Sequence, residues 1–468
     1  MSRIGQPVGT RRPAGPPWRL LLLLRTECVR RLWRPEFSLG PGRSSGWPRM
    51  RRGWHHVPTT VDLFCGAGGL TEGFRQAGFD CLVGADADRH AMATFRRNHP
   101  EAMSLLGPIE ELDAGEVRST TGLAPGELDV LLGGPPCQGF SVNAHGRRAD
   151  DPRNGMFRQF AKFLVEFEPR FFVFENVPGM LSLNGGEVVA TALETFRGCG
   201  YTIALRVLLA AHYGVPQERW RLIMLGSRLG SAPCHPKPEY AATARMNFAG
   251  AGRLTFRLDP HEPSTRKSAV TVAEALGDLP ALGPGEGADA QPYRCAPHSA
   301  YALTMRSGSE IVQNHVAPKL AEVNRERLRH LQPGSDWRGI PFELLPKGMQ
   351  RADRSDHTRR YGRLRADGLA GTVLTKMDPH WGQAFHYEQE RTLTVREAAR
   401  LQSFPDRYVF EGPRASQYRQ VGNAVPVLMA RAIATAVKDA LGTLPEAVAE
   451  ARDTAAGAAP AGGQQGIG

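Results

Sequence analysis

The spacing of apolar and glycine residues over 59–88 predicts a succession of structural elements. A β-rich run at 59–64 leads into a glycine-rich loop, and apolar residues then recur at helical spacing from Leu70 to Ala77. Gly78 is placed to end that helix, and a second β-rich run follows at 81–86. We therefore expect a strand, a glycine turn, a helix and a second strand.

Later apolar runs predict further strands of the same kind. Residues 130–132 are Val-Leu-Leu, the pattern at 155–168 is helical, and the run RFFVFENVPGM occupies 170–180. The last run is aromatic and β-branched up to Glu175, which is typical of a strand buried on both faces. Strands that alternate with helices in this way predict an α/β fold.

The length of 468 residues allows two domains with additional tails. We expect residues 1–55 to be a disordered basic extension, because Arg, Pro and Gly dominate them without any period. A transit peptide and translation from Met50 are the alternatives. The Ala- and Gly-rich residues 443–468 predict a disordered tail. The apolar block at 20–24 is too short for a membrane span.

Charge and cysteine content say little about the binding partners of the protein and somewhat more about its cellular setting. The formal net charge is +11, but residues 1–49 hold ten Arg and two Glu, so most of the excess lies there. The remaining charge is weak evidence for a nucleic-acid partner. The seven cysteines contain no C-x-x-C pair, which argues against a zinc site and a disulfide framework. A reducing, intracellular setting fits this pattern best.

The first glycine loop has the features of a cofactor site. A glycine turn lets a ligand approach the backbone, and the following helix N-terminus favours an anionic group. Asp86 closes the second predicted strand 20 residues after Gly66, about the offset at which a carboxylate meets ribose hydroxyls in nucleotide-binding α/β folds. The two features together favour an adenosine-containing cofactor, whereas the glycines alone also fit an ordinary tight turn.

Two further strand ends carry candidate chemistry. Pro135 and Pro136 stiffen the chain before Cys137, which places that thiol at the carboxyl end of a predicted strand. Glu175 and Asn176 close the apolar strand at 170–176, where a glutamate is costly unless it is paired or protonated. A buried structural cysteine and an exposed strand-end acid are the alternatives.

Six segments together resemble the DNA (cytosine-5)-methyltransferases, in order and with gaps similar to those of that family. They are DLFCGAGG (62–69), GGPPCQGFS (133–141), FENV (174–177), PQERWRLIMLG (216–226), RTLTVREAARLQSFPD (391–406) and QYRQVGNAVPVLMARAI (417–433). Any one of them can arise by chance, but six in register are highly specific.

The resemblance implies a fold of two domains. Residues 56–226, completed by 415–442, are expected to form a Rossmann-like, S-adenosylmethionine-dependent methyltransferase sheet, and 227–414 a smaller target-recognition domain. Residues 228–313 show little regular period. The stretch 351–365 has six Arg against two Asp, which is by default a solvated charge run and in this family context favours phosphate contacts.

The resemblance also implies the roles of individual residues. The nucleophile is Cys137, which adds to cytosine C6; Glu175 supplies the proton at N3, Asn176 orients the loop, and the arginines two positions apart act beside them. The implied catalytic residues are Cys137, Glu175, Asn176, Arg219 and Arg221. The implied cofactor-binding residues are Phe64, Gly66, Gly68, Gly69, Asp86, Pro135 and Asn423. The implied substrate-binding residues are Gln138, Ser141 and Gln217, and no metal is expected.

The implied reaction transfers a methyl group from S-adenosylmethionine to C5 of a cytosine flipped out of a specific double-stranded DNA sequence. We expect a monomeric, cytoplasmic protein without a membrane partner, with a cognate restriction endonuclease acting on the same site. The alternatives are an RNA (tRNA) cytosine-5 methyltransferase, whose Cys-Phe-Thr tripeptide is missing here, and a catalytically silent DNA-binding relative. One departure from the family is Pro108, where relatives usually have an Asp that contacts the adenine.

Overall fold

The computed structural model describes residues 57–136, 155–230, 233–244, 257–258, 267–355 and 359–442. Two stretches predicted from the sequence, 1–55 and 443–468, lie outside the described residues, as do Cys137, Gln138 and Ser141.

Strands form at each of the four apolar runs predicted from the sequence, and ten more strands accompany them among the described residues. In chain order the strands are β1 (Thr59–Leu63), β2 (Asp80–Asp86), β3 (Met103–Leu106), β4 (Val130–Gly133), β5 (Phe171–Asn176), β6 (Thr202–Leu209), β7 (Trp220–Ser227), β8 (Tyr240–Ala241), β9 (Arg257–Leu258), β10 (Lys267–Ser268), β11 (Gly287–Pro292), β12 (Ile311–Val316), β13 (Gly362–Arg363) and β14 (Gln383–Phe385). The four predicted strands are β1, β2, β4 and β5. The central sheet has the order β3-β2-β1-β4-β5-β7-β6-β9. Its first five strands are parallel, and β7 runs antiparallel to both β5 and β6.

Helices connect the parallel strands and close the fold. They are α1 (Gly69–Gln76), α2 (Arg89–Asn98), α3 (Ala114–Thr121), α4 (Met156–Phe167), α5 (Glu187–Gly198), α6 (Val272–Leu276), α7 (Ala300–Arg306), α8 (Glu322–Arg329), α9 (Val395–Leu401), α10 (Arg414–Asn423) and α11 (Val427–Gly442). Helix α1 ends where Gly78 was expected to stop it, and Gly78 has a φ of 87°. The predicted Rossmann-like α/β sheet is confirmed by the mostly parallel central sheet with helices between its strands.

The strand order explains where a ligand belongs. Strands β2 and β3 lie on one side of β1, while β4 and β5 lie on the other, so the winding reverses between β1 and β4. Open α/β sheets bind ligands at this switch point, beyond the carboxyl ends of the strands. The glycine loop after β1 and the proline loop after β4 therefore begin side by side.

Strand β5 shows how the sheet is buried on both faces. Phe171 and Val173 belong to the hydrophobic core that contains α1, α9 and α11. Phe172 and Phe174 belong to the core on the opposite face, where their rings pack edge to face against Phe196. Every residue of β5 is buried, as its unbroken apolar run predicts.

Residues 227–414 contain more regular structure than their sequence predicts. The interval 228–313 holds α6, α7 and the antiparallel pair of β11 and β12. These helices are of five and seven residues, too short to show a period. A separate small core forms farther along, around Leu328, Trp337, Tyr361 and Phe385. The boundaries at 227 and 414 stay predictions, because Ala398 and Leu401 of α9 share the core of α1.

Candidate active site

The glycine loop between β1 and α1 is held by the acid predicted from its spacing. Gly66 and Gly68 have φ angles of 54° and 85°, and Phe64 also has a positive φ of 59°. The backbone amide of Gly66 donates to Asp86 Oδ2 at 2.9 Å, and Asp88 N donates to Asp86 Oδ1 at 2.8 Å. Burial raises the pKa of the Asp86 carboxyl, although these amide donors oppose the shift.

One side of this loop is open and the other is closed. A Cβ added at Gly66 would meet nothing within 4 Å, so the backbone there is accessible to a ligand. A Cβ at Gly68 would instead lie 2.7 Å from the Tyr408 hydroxyl, and one at Gly69 would lie 2.6 Å from the Val425 carbonyl oxygen. The loop therefore fits a ligand that contacts backbone amides and the acid at the end of β2.

Glu175 and Arg221 form a buried ion pair at the ends of β5 and β7. Glu175 Oε1 lies 2.6 Å from Arg221 Nε, and each side chain is 10% exposed. A Cβ at Gly134 would lie 3.2 Å from Glu175 Oε2, so the carboxyl adjoins the loop that leads to Cys137. Burial raises the pKa of Glu175, and the positive charges of Arg221 and Arg219 oppose that rise.

Asn176 connects the same strand end to the proline loop. Its Nδ2 donates to the Pro135 carbonyl oxygen at 3.4 Å, and its Oδ1 accepts from Val177 N at 2.9 Å. Pro135 and Pro136 continue from β4 without helical structure. The start of the loop that carries Cys137 is therefore fixed relative to the carboxyl of Glu175.

The comparisons with known proteins agree with this arrangement. The family model described as C-5 cytosine-specific DNA methylase matches residues 59–439. The chain belongs to this family. The methylase is 35% identical to Type II methyltransferase M.AgeI of Thalassovita gelatinovora in an alignment 430 positions long, which covers 82% of this chain and 99% of that protein. It is also 35% identical to Type II methyltransferase M1.HphI of Haemophilus parahaemolyticus, covering 81% of this chain and 86% of that protein.

More distant comparisons show that the methylase matches only a fraction of some longer proteins and confirm the fold. DNA (cytosine-5)-methyltransferase 2 of Arabidopsis thaliana is 30% identical, but the match covers 28% of that longer protein. A solved E. coli prophage protein, described as a DNA modification methyltransferase, has the same fold with a TM-score of 0.61 and 24% identity, over 82% of this chain and 99% of that chain. The family match and the two Type II relatives show that the methylase is a DNA (cytosine-5)-methyltransferase. Among the described residues, no helix is long and apolar enough to cross a membrane.

Arg219 donates hydrogen bonds to the backbone of two segments that lie far along the chain. Its guanidinium donates to the carbonyl oxygens of Val373 at 3.1 Å and of Gly422 at 2.7 Å, and also to Ala424. The exposed Asn423 stands between these last two residues. Arg219 therefore fixes the segment that brings Asn423 to the side of the sheet where Gly69 packs against Ala424.

Gln217 is also fully buried and bonded within the protein. Its Nε2 donates to the Leu401 carbonyl at 2.8 Å and to Gln402 Oε1 at 2.9 Å, and its Oε1 accepts from Val373 N. These contacts hold α9 and the segment around Val373 against the chain just before the start of β7. A substrate contact by Gln217 and a catalytic contact by Arg219 stay predictions.

Sequence reasoning missed Tyr408 and His99, which support the glycine loop from behind. The Tyr408 hydroxyl donates to the Ala67 carbonyl, and His99 Nε2 lies 3.0 Å from the same hydroxyl. The two residues are 309 positions apart, and neither has a local pattern that indicates the contact. Pro108, one residue after Gly107, begins a short 3₁₀ turn, and Gly107 N donates to the Asp86 carbonyl.

Proposed function

We propose that the methylase transfers a methyl group from S-adenosylmethionine to C5 of a cytosine flipped out of a specific sequence in double-stranded DNA, through a covalent bond between Cys137 and cytosine C6. The observation that carries the proposal is the buried pair of Glu175 and Arg221 beside Gly134, with Asn176 fixing Pro135. This pair places Glu175, whose pKa is raised by burial, next to the loop that leads to Cys137.

The acid has a definite task in this chemistry. Cytosine C5 is too weak a nucleophile to be methylated directly, and thiolate addition at C6 makes C5 reactive by pushing electron density towards N3. A proton given to N3 by Glu175 lowers the barrier to that addition. Arg221 keeps the carboxyl oriented, and its charge limits how far burial raises the pKa of Glu175.

The cofactor residues fit S-adenosylmethionine. When bound, it supplies a methyl group on a positively charged sulfur. The open face at Gly66 offers backbone amide donors, and the carboxylate of Asp86 can bind the hydroxyl groups of the ribose. The helix N-terminus at Gly69 favours the negatively charged carboxylate of the cofactor. Phe64, Gly68, Pro135 and Asn423 complete the proposed set.

The proposed nucleophile is Cys137, although it lies outside the described residues. The described cysteines are all free thiols. Burial raises the pKa of Cys65 well above its usual value and that of Cys81 to about 12, so both are poor nucleophiles at neutral pH. Gln138 and Ser141 are proposed substrate contacts from the same loop. We further propose a monomer whose target site is shared with a restriction endonuclease, as the Type II names of its relatives suggest.

Covalent trapping tests the proposal. Long duplex DNA of varied sequence, synthesised with 5-fluorocytosine in place of cytosine, carries the analogue in every cytosine of the recognition sequences it contains, and fluorine at C5 cannot leave as a proton does. We expect an adduct that needs S-adenosylmethionine and survives denaturing electrophoresis. Cys137→Ser should abolish it, because a hydroxyl is hardly ionised at neutral pH. Glu175→Gln should form it much more slowly while still binding DNA.

The matched control is Cys234→Ser, which removes an exposed described thiol and should trap like the wild type. An adduct that persists in Cys137→Ser, or maps to another cysteine, contradicts the assignment. Trapping on fluorinated RNA but not on DNA would favour the RNA-modifying alternative, and no adduct on either would favour a silent binding protein.

A further inference from the structure

An exposed tryptophan braced by an arginine lies in the region expected to read DNA. Trp381 is 45% exposed, and the guanidinium carbon of Arg360 lies 5.1 Å from the centroid of its ring. The His380 ring packs edge-on against the same indole, with centroids 4.9 Å apart. We call Arg359, Arg360, His380 and Trp381 the arginine–tryptophan patch.

The patch is held firmly by its surroundings. Tyr361 N donates to the Pro379 carbonyl at 2.6 Å, and the Tyr361 hydroxyl lies 3.2 Å from His380 Nδ1. The Asp378 carboxylate accepts from His380 N at 2.9 Å, and the Asp378 carbonyl accepts from Trp381 N at 3.0 Å. The indole is therefore presented at a fixed position on a turn closed by backbone bonds.

The patch is tied directly to the candidate active site. Arg359 forms an ion pair with Glu218, the residue before Arg219. Glu218 N also donates to the Ala370 carbonyl at 2.8 Å, so the chain between the two parts of the patch is also fastened just before the start of β7. Arg221, which holds Glu175, lies three residues beyond Glu218.

The charge of Arg360 is not cancelled by its described side-chain contacts. These are the Trp381 ring and the Met349 sulfur, which lies 3.3 Å from its Nη1. Arg329 on α8 is different, because its guanidinium pairs with Glu326 at 2.5 Å. A half-exposed aromatic ring beside a cation that forms no ion pair with the described residues matches the chemistry of nucleic-acid contact, in which bases or sugars stack on the ring and a phosphate meets the cation.

We propose that the arginine–tryptophan patch contacts the substrate DNA next to the methylated cytosine, with Trp381 stacking on the DNA and Arg360 meeting a backbone phosphate. This inference rests on the proposed function, because it assumes that the DNA lies across the edge where Glu175 and Arg221 meet. The proposal gives Arg360 and Trp381 a shared role in binding DNA, although the two residues are far apart in the sequence.

Steady-state methylation and DNA-binding assays test the patch, with unmethylated plasmid DNA as the probe. Trp381→Ala should weaken DNA binding and raise the KM for DNA about ten-fold, as loss of one stacking contact predicts. Its kcat and its KM for S-adenosylmethionine should stay within about two-fold of the wild type. Trp381→Phe should restore most of the DNA affinity, because an aromatic ring remains.

Arg360→Ala should lower the slope of log Kd against log salt by about one, as expected for one lost phosphate contact. The matched controls are Phe342→Ala, which removes another exposed aromatic side chain, and Arg329→Ala, which removes an arginine already paired. Both controls should bind DNA within about two-fold of the wild type.

Three results would overturn the inference: Trp381→Ala with wild-type DNA affinity, an unchanged salt slope in Arg360→Ala, or equal losses in the Phe342→Ala control. If the wild type and Trp381→Ala methylate DNA equally well, the proposed DNA contact of the patch is refuted while the proposed function stands. A wild-type protein that gives no adduct with fluorinated DNA refutes the proposed function instead.

Discussion

At the residue scale, Asp62 shows how the cofactor side of the sheet is built. It lies on β1 between Val61 and Leu63, whose side chains enter the opposite core, so its carboxyl is buried towards α1. The Thr71 hydroxyl donates to its Oδ2 at 2.5 Å. Burial raises the pKa of Asp62 to about 7, and the charge of Asp86 adds to the rise while the Thr71 bond opposes it.

This shift predicts a pH dependence of stability. The carboxyl is protonated in the folded state over a range where the unfolded chain has released the proton, so its contribution is complete below about pH 4 and is lost as pH rises through about 7. Against Asp62→Asn, the wild type should lose on the order of 4 kcal/mol of unfolding free energy across that interval. Urea denaturation of both proteins measures it. The exposed Asp80→Asn is the control, and parallel curves for wild type and Asp62→Asn would contradict the prediction.

At the element scale, α9 is fixed by a buried ionic network. Arg400 donates to Asp278 at 2.9 and 3.2 Å and to Asp406 at 2.7 and 2.6 Å, and all three side chains are fully buried. Burial alone would raise the pKa of Asp406, but Arg400 holds it below its usual value. The network joins α9 to α6 and to the chain after α9.

Replacing Arg400 should therefore destabilise the protein strongly. Arg400→Gln removes the cation that the two buried carboxylates share and leaves them, among the described cations, only the longer contacts with Arg306 at 3.4 Å and Arg396 at 3.8 Å. Breaking a buried ionic network in this way costs roughly 3–5 kcal/mol. Thermal and urea unfolding measure this loss. The exposed pair on α8 provides a comparison, since Arg329→Ala should cost less than about 1 kcal/mol. Equal effects of the two substitutions would show that the network contributes no more than a surface pair.

At the scale of the whole molecule, the described fold begins just before β1. Thr59 N donates to Asp129 Oδ2 at 2.9 Å, which fixes the start of the first strand to the chain before β4. The sequence predicts that residues 1–49 contribute positive charge to the protein and no side chains to its hydrophobic core. A protein that starts at Met50 should keep its methylation activity and melting temperature and lose only salt-sensitive DNA affinity. Filter binding at low and high salt measures the difference, and a loss of folding would contradict it.

The sequence alone determined the features that depend on neighbouring residues. The apolar run of β5, the glycine turn before α1 and the offset of Asp86 from Gly66 follow from backbone geometry and local burial, so their spacing was visible in the printed chain. The six segments also predicted the family, which the family model confirms over residues 59–439.

Only the tertiary structure decided which distant residues meet. Arg221 reaches Glu175 because β7 runs antiparallel to β5 with Glu175 opposite Ile223, a register that no local pattern encodes. Arg219, two positions before Arg221, donates to backbone carbonyls that lie 154 to 205 residues farther along the chain. The contact of Arg360 with Trp381 likewise depends on a turn closed by long-range bonds. Strand order and register set these pairs, because a side chain's partner is chosen by packing across the sheet and not by its neighbours along the chain.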